Sequence, residues 1–535
     1  MTDFKRSRFV APLGIMAILT GCSFLQPTAE PVMEIPAPPA LMLMDQPRTE
    51  REFRAAWVAT VANIDWPSKP GLTTTEQQAE ALVILDSAAL LNLNAIIFQV
   101  RPQCDALYNS KLEPWSFYLT GEQGKAPEPY YDPLKFWIDE AHKRGLQLHA
   151  WFNPYRAHHP AEGEIGEHSI VKTRPELVKK LADDGFYWLD PAKKETQGHS
   201  LAVVMDVVEN YDVDGIHFDD YFYPYPSYVT GGDFPDDDTW AEYLAGGGTL
   251  SRGDWRRDAV NTFIRELYQR IKTEKPWVQF GLSPFGIWKP SHPESIAGFN
   301  QYEQLYADAK LWLNEGWVDY FTPQLYWPIA QIPQSYPVLL GWWEHENTLH
   351  RNLWPGVFTS RAREEGRALE IVNKIMVTRG MLPESPGIVH FSMKALQKNF
   401  GGVSDRLING PYAQKALPPR SPWLDDIAPS PPRVTVTMAE EANQLNISWV
   451  SDDSDPVFNY VVYYKQGKGW RYTILNENDL SLTIPVYREI ILNAGTTVGV
   501  DQEVISPVRE YVTQIAVSSV DRLGNESKLI YTQID

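Results

Sequence analysis

The feature that most constrains the fold is an alternation of short apolar runs with amphipathic segments of helical length, which begins near Arg54. Such an alternation is typical of parallel β-α units. The apolar runs are Ala55–Val61, Ala95–Arg101, Gln147–Phe152, Gly215–Asp220, Gln279–Pro284, Asp319–Gln324, Leu353–Phe358 and Gly387–Ser392. Eight units in roughly 350 residues predict an α/β fold, a (β/α)8 TIM barrel over residues 51–420, with an open doubly wound sheet as the alternative.

A second, smaller domain is predicted at the C-terminal end. Residues 421–432 are rich in proline, which is typical of a linker. Residues 433–535 contain short alternating segments without helical spacing, which predict a small all-β sandwich. The spacing of Trp449 and the runs at 460–464 and 516–521 resembles a fibronectin type III module.

The first 21 residues have the pattern of an export signal. Basic residues between positions 5 and 8 precede an apolar stretch, and the tetrapeptide Leu19-Thr20-Gly21-Cys22 resembles the cleavage motif of lipoproteins. We therefore expect cleavage before Cys22, lipidation of Cys22, and a Pro-rich tether over residues 22–50. An uncleaved membrane anchor is the alternative, although about a dozen apolar residues are too few to span a bilayer.

These features predict a lipid-anchored protein of the cell envelope. Ser23, rather than an aspartate, follows Cys22. By resemblance to Gram-negative lipoproteins, this favours the outer membrane with the protein facing the periplasm. We expect the protein to contact the membrane through its N-terminal lipid only.

Charge and cysteine content narrow the range of partners. The formal net charge of −20 disfavours binding to nucleic acid, because phosphates repel an acidic surface. Apart from Cys22, the chain has one cysteine, so we expect no internal disulfide after export. We interpret that residue, Cys104, as a packing residue and not as a nucleophile.

The polar residues of the predicted strands point to one active-site rim. Alternate side chains of a barrel strand face the lumen, and reactive groups of TIM barrels lie at the C-terminal strand ends. In the fourth run Ile216 and Phe218 are apolar, which predicts that His217 and Asp219 face inward. The same test on four other strands predicts further inward side chains: Gln99, Arg101, His149, Trp151, Asn153, Ser283, Thr322, Gln324 and Tyr326.

A carboxylate at this rim indicates glycoside hydrolysis. That reaction needs one carboxylic acid to protonate the leaving oxygen and a second group to attack, activate water or stabilise positive charge. We predict Asp219 and its neighbour Asp220 as the catalytic pair, with a capping role for Asp220 as the alternative. Asp65 and Asp190 are other candidates for the second group.

The nucleophile need not come from the protein. If the substrate carries an N-acetyl group, the acetamido carbonyl can attack while the two aspartates orient it and protonate the bond. This substrate-assisted mechanism is a hypothesis that rests on the adjacent pair.

Aromatic residues crowd the predicted loops of the same rim, among them Trp57, Tyr155, Tyr221 and Trp327. Flat amphipathic rings suit the apolar faces of pyranose sugars, so the expected partner is a polysaccharide. The sequence has no Gly-rich phosphate loop at a strand-to-helix junction and no His-Glu-x-x-His motif. We therefore expect neither a cofactor nor a metal.

Three segments of the barrel resemble the bacterial glycosyl-hydrolase-like 10 family: AWFNPYR at 150–156, DGIHFDDYFY at 214–223 and PQLYW at 323–327. The resemblance extends over about residues 51–409 and implies a TIM-barrel glycosidase that acts on amino-sugar glycan. The family includes an outer-membrane lipoprotein that cleaves peptide-free peptidoglycan strands. The present chain differs from that member by its C-terminal β-rich module. The predicted substrate-binding residues are Trp57, Asp65, Gln99, Arg101, His149, Asn153, Tyr155, Arg156, His217, Tyr221, Ser283, Gln324, Tyr326 and Trp327.

Two other functions stay open at this point. The spacing Asp-Gly-x-x-x-Asp at 214–219 also resembles amylase-type barrels, which makes a hydrolase of α-glucan or another polysaccharide an alternative. A surface lipoprotein that binds glycan without cleaving it is the other. Such a protein would keep the aromatic residues but would not need Asp219 to face inward.

Overall fold

The computed structural model describes residues 46–183, 185–439, 443–451, 457–490 and 507–534. The predicted signal peptide, Cys22 and most of the predicted tether lie outside these residues. Within the described residues, no helix combines the length and the apolar character needed to cross a membrane.

Eight parallel strands form the central sheet. They are β1 (Phe53–Val58), β2 (Ala95–Arg101), β3 (Gln147–Phe152), β4 (Gly215–Phe218), β5 (Gln279–Leu282), β6 (Tyr320–Phe321), β7 in two segments (Asn352–Leu353 and Gly356–Val357) and β8 (Gly387–His390). Each strand pairs with its neighbours in chain order, and β8 pairs with β1.

The sheet closes on itself at β7. The first segment of β7 pairs with β6, with Asn352 opposite Tyr320, and the second segment pairs with β8, with Gly356 opposite Val389. Trp354 and Pro355 separate the segments, and Pro355 has no N–H to donate to a ladder. Because both edges of the sheet end in one strand, the sheet is a closed barrel. The TIM-barrel prediction is confirmed, and the open sheet is wrong.

Helices follow most strands and cover the outside of the barrel. They are α1 (Thr74–Leu90), α2 (Phe117–Thr120), α3 (Pro133–His142), α4 (Ile170–Thr173), α5 (Lys194–Asn210), α6 (Asp237–Ala245), α7 (Arg252–Glu274), α8 (Gln301–Gln304), α9 (Ala309–Asn314), α10 (Tyr336–Glu346), α11 (Arg367–Met381), α12 (Met393–Gln397) and α13 (Val403–Ile408). The apolar side of each longer helix faces the strands; α7, for example, buries Phe263, Ile264 and Leu267.

A long excursion separates β3 from β4. It contains a small antiparallel sheet in which Tyr187–Leu189 pairs with Arg156–His158 on one side and with Val178–Lys180 on the other. This sheet places residues of the excursion beside the C-terminal ends of the barrel strands.

The C-terminal residues form a β-sandwich, as predicted. Its strands are β9 (Arg433–Met438), β10 (Gln444–Val450), β11 (Asn459–Gln466), β12 (Gly469–Asn476), β13 (Ser481–Pro485), β14 (Tyr487–Ile490), β15 (Val508–Val520) and β16 (Ile530–Gln533). Strands β9, β10 and β13 form one sheet, and β11, β12 and β15 form the other, with β14 and β16 paired to β15. Ile447 and Trp449 of the first sheet pack against Val462 and Ile515 of the second. The fibronectin type III assignment stays a prediction.

The sandwich contacts the end of the barrel at which the strands begin. Arg522 donates two hydrogen bonds of 2.6 Å to Asp212, which precedes β4. The Gln147 amide, at the start of β3, donates to the backbone carbonyl of Arg522 at 2.8 Å. These contacts of the described residues attach the sandwich at the end of the barrel opposite to the one where the strands finish.

Candidate active site

A cavity of about 460 Å³ opens at the C-terminal ends of the strands. Every strand, or the residues just after it, contributes to its wall. In strand order these contributions are Trp57, Gln99, Trp151, Asp219, Ser283, Gln324, Phe358 and Phe391. Asp220, Tyr221, Tyr225 and Tyr326 also line the cavity. The sequence analysis predicted that side chains from five of these strands, the second to the sixth, would meet at one rim, and the cavity wall contains residues from all five.

Asp219 is buried and held by three donors. Its Oδ2 accepts hydrogen bonds from Asn153 Nδ2 at 2.6 Å and from Trp151 Nε1 at 3.1 Å. Its Oδ1 accepts from the backbone N–H of Tyr221 at 3.3 Å. The amide of Gln99 donates to Asn153 Oδ1 at 2.7 Å, which fixes the orientation of the Asn153 amide toward Asp219.

Asp220 follows directly and is equally buried. Its Oδ2 accepts a short hydrogen bond from the hydroxyl of Tyr225, on the loop after β4. Asp219 and Asp220 are the only carboxylates among the described residues that line the cavity.

The environment of the two carboxyl groups favours protonation. Burial, and then the charge of Asp220, raise the pKa of Asp219 to about 7, while Arg156 and Asn153 act in the opposite direction. Burial also raises the pKa of Asp220, and the hydrogen bond from Tyr225 opposes that effect. Two carboxyl groups this close do not both ionise easily, so the pair holds one proton near neutral pH.

His149 and His217 face inward as predicted, but they lie beneath the cavity wall. His217 Nε2 accepts from Trp57 Nε1 at 3.2 Å and lies 3.0 Å from Ser283 Oγ. Tyr320 Oη lies 3.0 Å from His217 Nδ1 and 2.8 Å from His149 Nδ1. Burial lowers the pKa of both imidazoles, so they are neutral. Neither histidine is among the residues that line the cavity, and both lie behind wall residues, so their predicted substrate contacts stay a prediction.

Arg101 and Asn153 are also buried behind the wall. The guanidinium of Arg101 forms an ion pair with Glu113 at 2.5 Å and donates to Cys104 Sγ at 3.1 Å. Cys104 is buried, as expected of a packing residue. Neither residue lines the cavity: Asn153 donates to Asp219, and Arg101 donates to the backbone carbonyl of Asn153.

Three further predicted residues lie outside the cavity. The ring of Tyr155 packs against Phe263 of α7, because the chain leaves the alternation of β3 at Pro154. Trp327 packs against Phe285 with ring centroids 5.4 Å apart. Asp65 accepts hydrogen bonds from Ser392 Oγ at 2.7 Å and from two backbone N–H groups. None of the three is among the residues that line the cavity, and their substrate contacts stay predictions.

Asp190, the other candidate for the second carboxylate, also lies away from the cavity. Its Oδ2 accepts a hydrogen bond of 2.5 Å from Thr239 Oγ1 on α6. Asp220 is the carboxylate that lines the described cavity together with Asp219.

The family profile of glycosyl hydrolase-like 10 matches residues 52–360. The chain belongs to this family. Glycosyl hydrolase YngK of Bacillus subtilis (strain 168) is 36 % identical over 502 residues, which cover 91 % of this chain and 94 % of that protein. Glycosyl hydrolase DigH of Escherichia coli (strain K12) is 38 % identical over 316 residues, which cover 55 % of this chain and 70 % of that protein. The resemblance found in the sequence is thus confirmed, and the protein is a glycoside hydrolase.

Among solved structures, an endo-beta-1,4-mannanase from Thermotoga petrophila is similar to this glycosyl hydrolase-like 10 protein with a TM-score of 0.41. The two chains are 10 % identical, and the match covers 92 % of this chain and 99 % of the mannanase.

The cavity of this glycosyl hydrolase-like 10 protein includes residues that the strand pattern did not predict. His159 and Phe186 come from the excursion after β3, and Tyr228 comes from the loop after β4. The rings of Phe186 and Tyr228 stack with centroids 4.6 Å apart. The aromatic density of the loop after Asp220 was the one sequence signal for Tyr228; none marked Phe186.

In the described part of the chain, no group of three histidine, cysteine or acidic side chains is placed to hold a metal ion. The charged side chains of the cavity wall are Asp219, Asp220 and Arg156.

Proposed function

We propose that this glycoside hydrolase cleaves an N-acetylhexosamine polymer by substrate-assisted catalysis, with peptide-free peptidoglycan strands as the leading substrate. The supporting observation is that the two carboxylates of the cavity are consecutive residues at the end of one strand. A pair that supplies both acid and nucleophile, or acid and base, must flank the scissile bond from two sides. With no carboxylate on the opposite wall of the described cavity, the attacking group is best supplied by the acetamido carbonyl of the substrate.

The two aspartates then have different tasks. Asp219, whose pKa is raised to about 7 by burial and by the charge of Asp220, keeps the shared proton and delivers it to the leaving oxygen. Asp220, whose ionised form is favoured by the Tyr225 hydroxyl, accepts the N–H of the acetamido group and orients its carbonyl for attack. Trp57 and Tyr326 offer aromatic surface to the sugar rings.

Product analysis tests the substrate. The purified protein is incubated with amidase-treated peptidoglycan strands, with chitin oligosaccharides and with starch, and the products are identified by mass spectrometry. We expect cleavage of the first two. Cleavage of starch alone would establish the α-glucan alternative, and an enzyme-linked sugar trapped on either aspartate would contradict substrate assistance.

Replacement of the acid tests the mechanism. Asp219→Asn should fold normally and lower kcat by roughly 10²- to 10⁴-fold, the contribution typical of a general acid. Asp86→Asn is the matched control, because Asp86 lies in a partly exposed surface ion pair with Arg144. Turnover near the wild-type rate in Asp219→Asn would refute the assignment.

We also propose that the protein is lipidated at Cys22 and held at the outer membrane facing the periplasm, as the N-terminal sequence indicates. Labelling of cells with radioactive palmitate should mark the wild-type protein and not a Cys22→Ser variant. Equal labelling of both would contradict the proposal.

A further inference from the structure

One buried arginine differs from all the others in the described residues. Five arginines are at most 7 % exposed: Arg54, Arg101, Arg156, Arg256 and Arg257. Four of them form ion pairs. These pairs are Arg54–Glu52 at 2.6 Å, Arg101–Glu113 at 2.5 Å, Arg256–Asp236 at 2.6 Å and Arg257–Asp254 at 2.7 Å. Arg156, which is 4 % exposed, has no carboxylate within 4.0 Å among the described residues, and it is the one that lines the cavity.

Neutral groups hold the guanidinium of Arg156 in place. One amino group donates to the carbonyl of Pro102 at 2.9 Å and reaches Asn153 Oδ1 at 3.4 Å. The ring of Tyr221 lies 4.5 Å from the guanidinium carbon. The Nε–H is buried and has no hydrogen-bond partner among the described residues.

A buried cation without a paired anion is costly, and so is a buried N–H without an acceptor. Both costs are removed if a carboxylate enters the cavity, because the guanidinium fork matches a carboxylate with two parallel hydrogen bonds. Asp219 and Asp220 feel the charge of Arg156 but lie beyond ion-pair distance.

We propose that Arg156 binds a carboxylate carried by a sugar residue of the glycan, in a subsite next to the catalytic pair. This inference rests on the proposed function and narrows its substrate to anionic amino-sugar polymers. Two kinds of sugar offer the group: a lactyl ether whose carboxyl is not blocked by a peptide amide, and a uronic acid.

Wild-type protein is first compared on four substrates of similar length. These are peptide-free peptidoglycan strands, the same strands with their carboxyl groups reduced to alcohols, chitin oligosaccharides and hyaluronan oligosaccharides. We expect kcat/KM to be roughly 10- to 100-fold higher for a carboxylate-bearing substrate than for its neutral counterpart, as for one charge-assisted hydrogen-bonded contact. Preference for the unreduced strands identifies a lactyl ether, and preference for hyaluronan identifies a uronic acid.

The Arg156→Gln variant then tests the residue. We expect the ratio of kcat/KM between unreduced and reduced strands to fall toward one, and Arg156→Lys to retain part of it. Arg270→Gln is the matched control, because Arg270 pairs with Glu266 on the exposed side of α7, and it should keep the wild-type ratio.

The outcomes separate this inference from the proposed function. Equal rates of the wild-type protein on reduced and unreduced strands, together with no preference for hyaluronan over chitin oligosaccharides, would overturn the inference alone. Cleavage of none of the four substrates would overturn the proposed function. An equal loss on both strands in Arg156→Gln, with a shifted pH profile, would show that Arg156 serves as a distant counter-charge and would also overturn the inference. If Arg156→Gln does not fold, the wild-type comparison still decides.

Discussion

The hydrogen bond from Tyr225 favours the ionised form of Asp220 in the proposed catalytic pair. Because this bond stabilises the carboxylate, it lowers the pKa of Asp220 against the effect of burial. The rate should therefore depend on pH as a bell, with loss of activity above about pH 7 as Asp219 gives up its proton. In Tyr225→Phe the pKa of Asp220 should rise, so the acidic limb of kcat/KM should move to higher pH.

The pH profile of Tyr225→Phe is compared with that of Tyr130→Phe, a control at an exposed tyrosine. An acidic limb that stays in place in Tyr225→Phe, with only a uniform loss of rate, would contradict the role given to Asp220.

At the level of single residues, the alternation of a strand predicts which side a residue faces but not how deep it lies. Gln99, Asp219 and Ser283 were predicted to face inward, and all three line the cavity. His149 and His217 obey the same alternation but occur earlier in their strands, so they lie below the cavity. Depth depends on where each strand ends, which the apolar pattern alone does not fix.

The Asp65 carboxylate joins the loop after β1 to the residues after β8, where Lys394 Nζ also donates to the backbone carbonyl of Ile64 at 2.8 Å. Asp65 accepts hydrogen bonds from Ala59 N–H, from Ser392 Oγ and from Lys394 N–H. Asp65→Ala leaves these donors without their acceptor, so we expect the free energy of unfolding to fall by about 1–3 kcal/mol. Chemical denaturation measures this change.

Asp139→Ala is the control for Asp65→Ala, since Asp139 forms an exposed ion pair with Lys135 that contributes at most about 0.5 kcal/mol. Equal stability of the two variants would show that the loops hold together without Asp65. Activity of Asp65→Ala well below its unfolding temperature should exceed that of Asp219→Asn by a wide margin, because Asp65 does not line the cavity.

Helices and strands were predicted well where the hydrophobic period and the length of a segment indicate the same element. They were predicted poorly where tertiary contacts determine the backbone conformation. The run Leu353–Phe358 was predicted as one strand, but Pro355 interrupts it and each half pairs with a different neighbour. The small sheet of the excursion has strands of three residues, too short to show a period. For that reason Phe186 and His159 were missed as cavity residues.

On the scale of the whole molecule, chemistry and stability occupy opposite ends of the barrel. The cavity lies where the strands finish, whereas the sandwich contacts Asp212 and Gln147 where they begin. These ends are about 20 Å apart along a six-residue strand such as β3. Residues at the beginning of barrel strands generally serve stability, so we expect the sandwich to have a structural role at this contact.

The ion pair between Arg522 and Asp212 tests whether the sandwich end of the barrel contributes to stability and not to catalysis. Arg522→Ala removes two hydrogen bonds of 2.6 Å to Asp212 and an ion pair of 3.7 Å to buried Asp214, which keeps its contact of 2.8 Å with His142. Because Asp212 is 59 % exposed, we expect a loss of only about 1 kcal/mol in the free energy of unfolding.

A double-mutant cycle with Asp212→Ala isolates the coupling between the two side chains. Arg509→Ala, which removes an exposed pair within the sandwich, is the control. Hydrolysis of short soluble glycans should be unchanged in Arg522→Ala. A loss of that activity in a folded Arg522→Ala protein would mean that the sandwich influences the cavity through the length of the barrel, and the division of tasks between the two ends would be wrong.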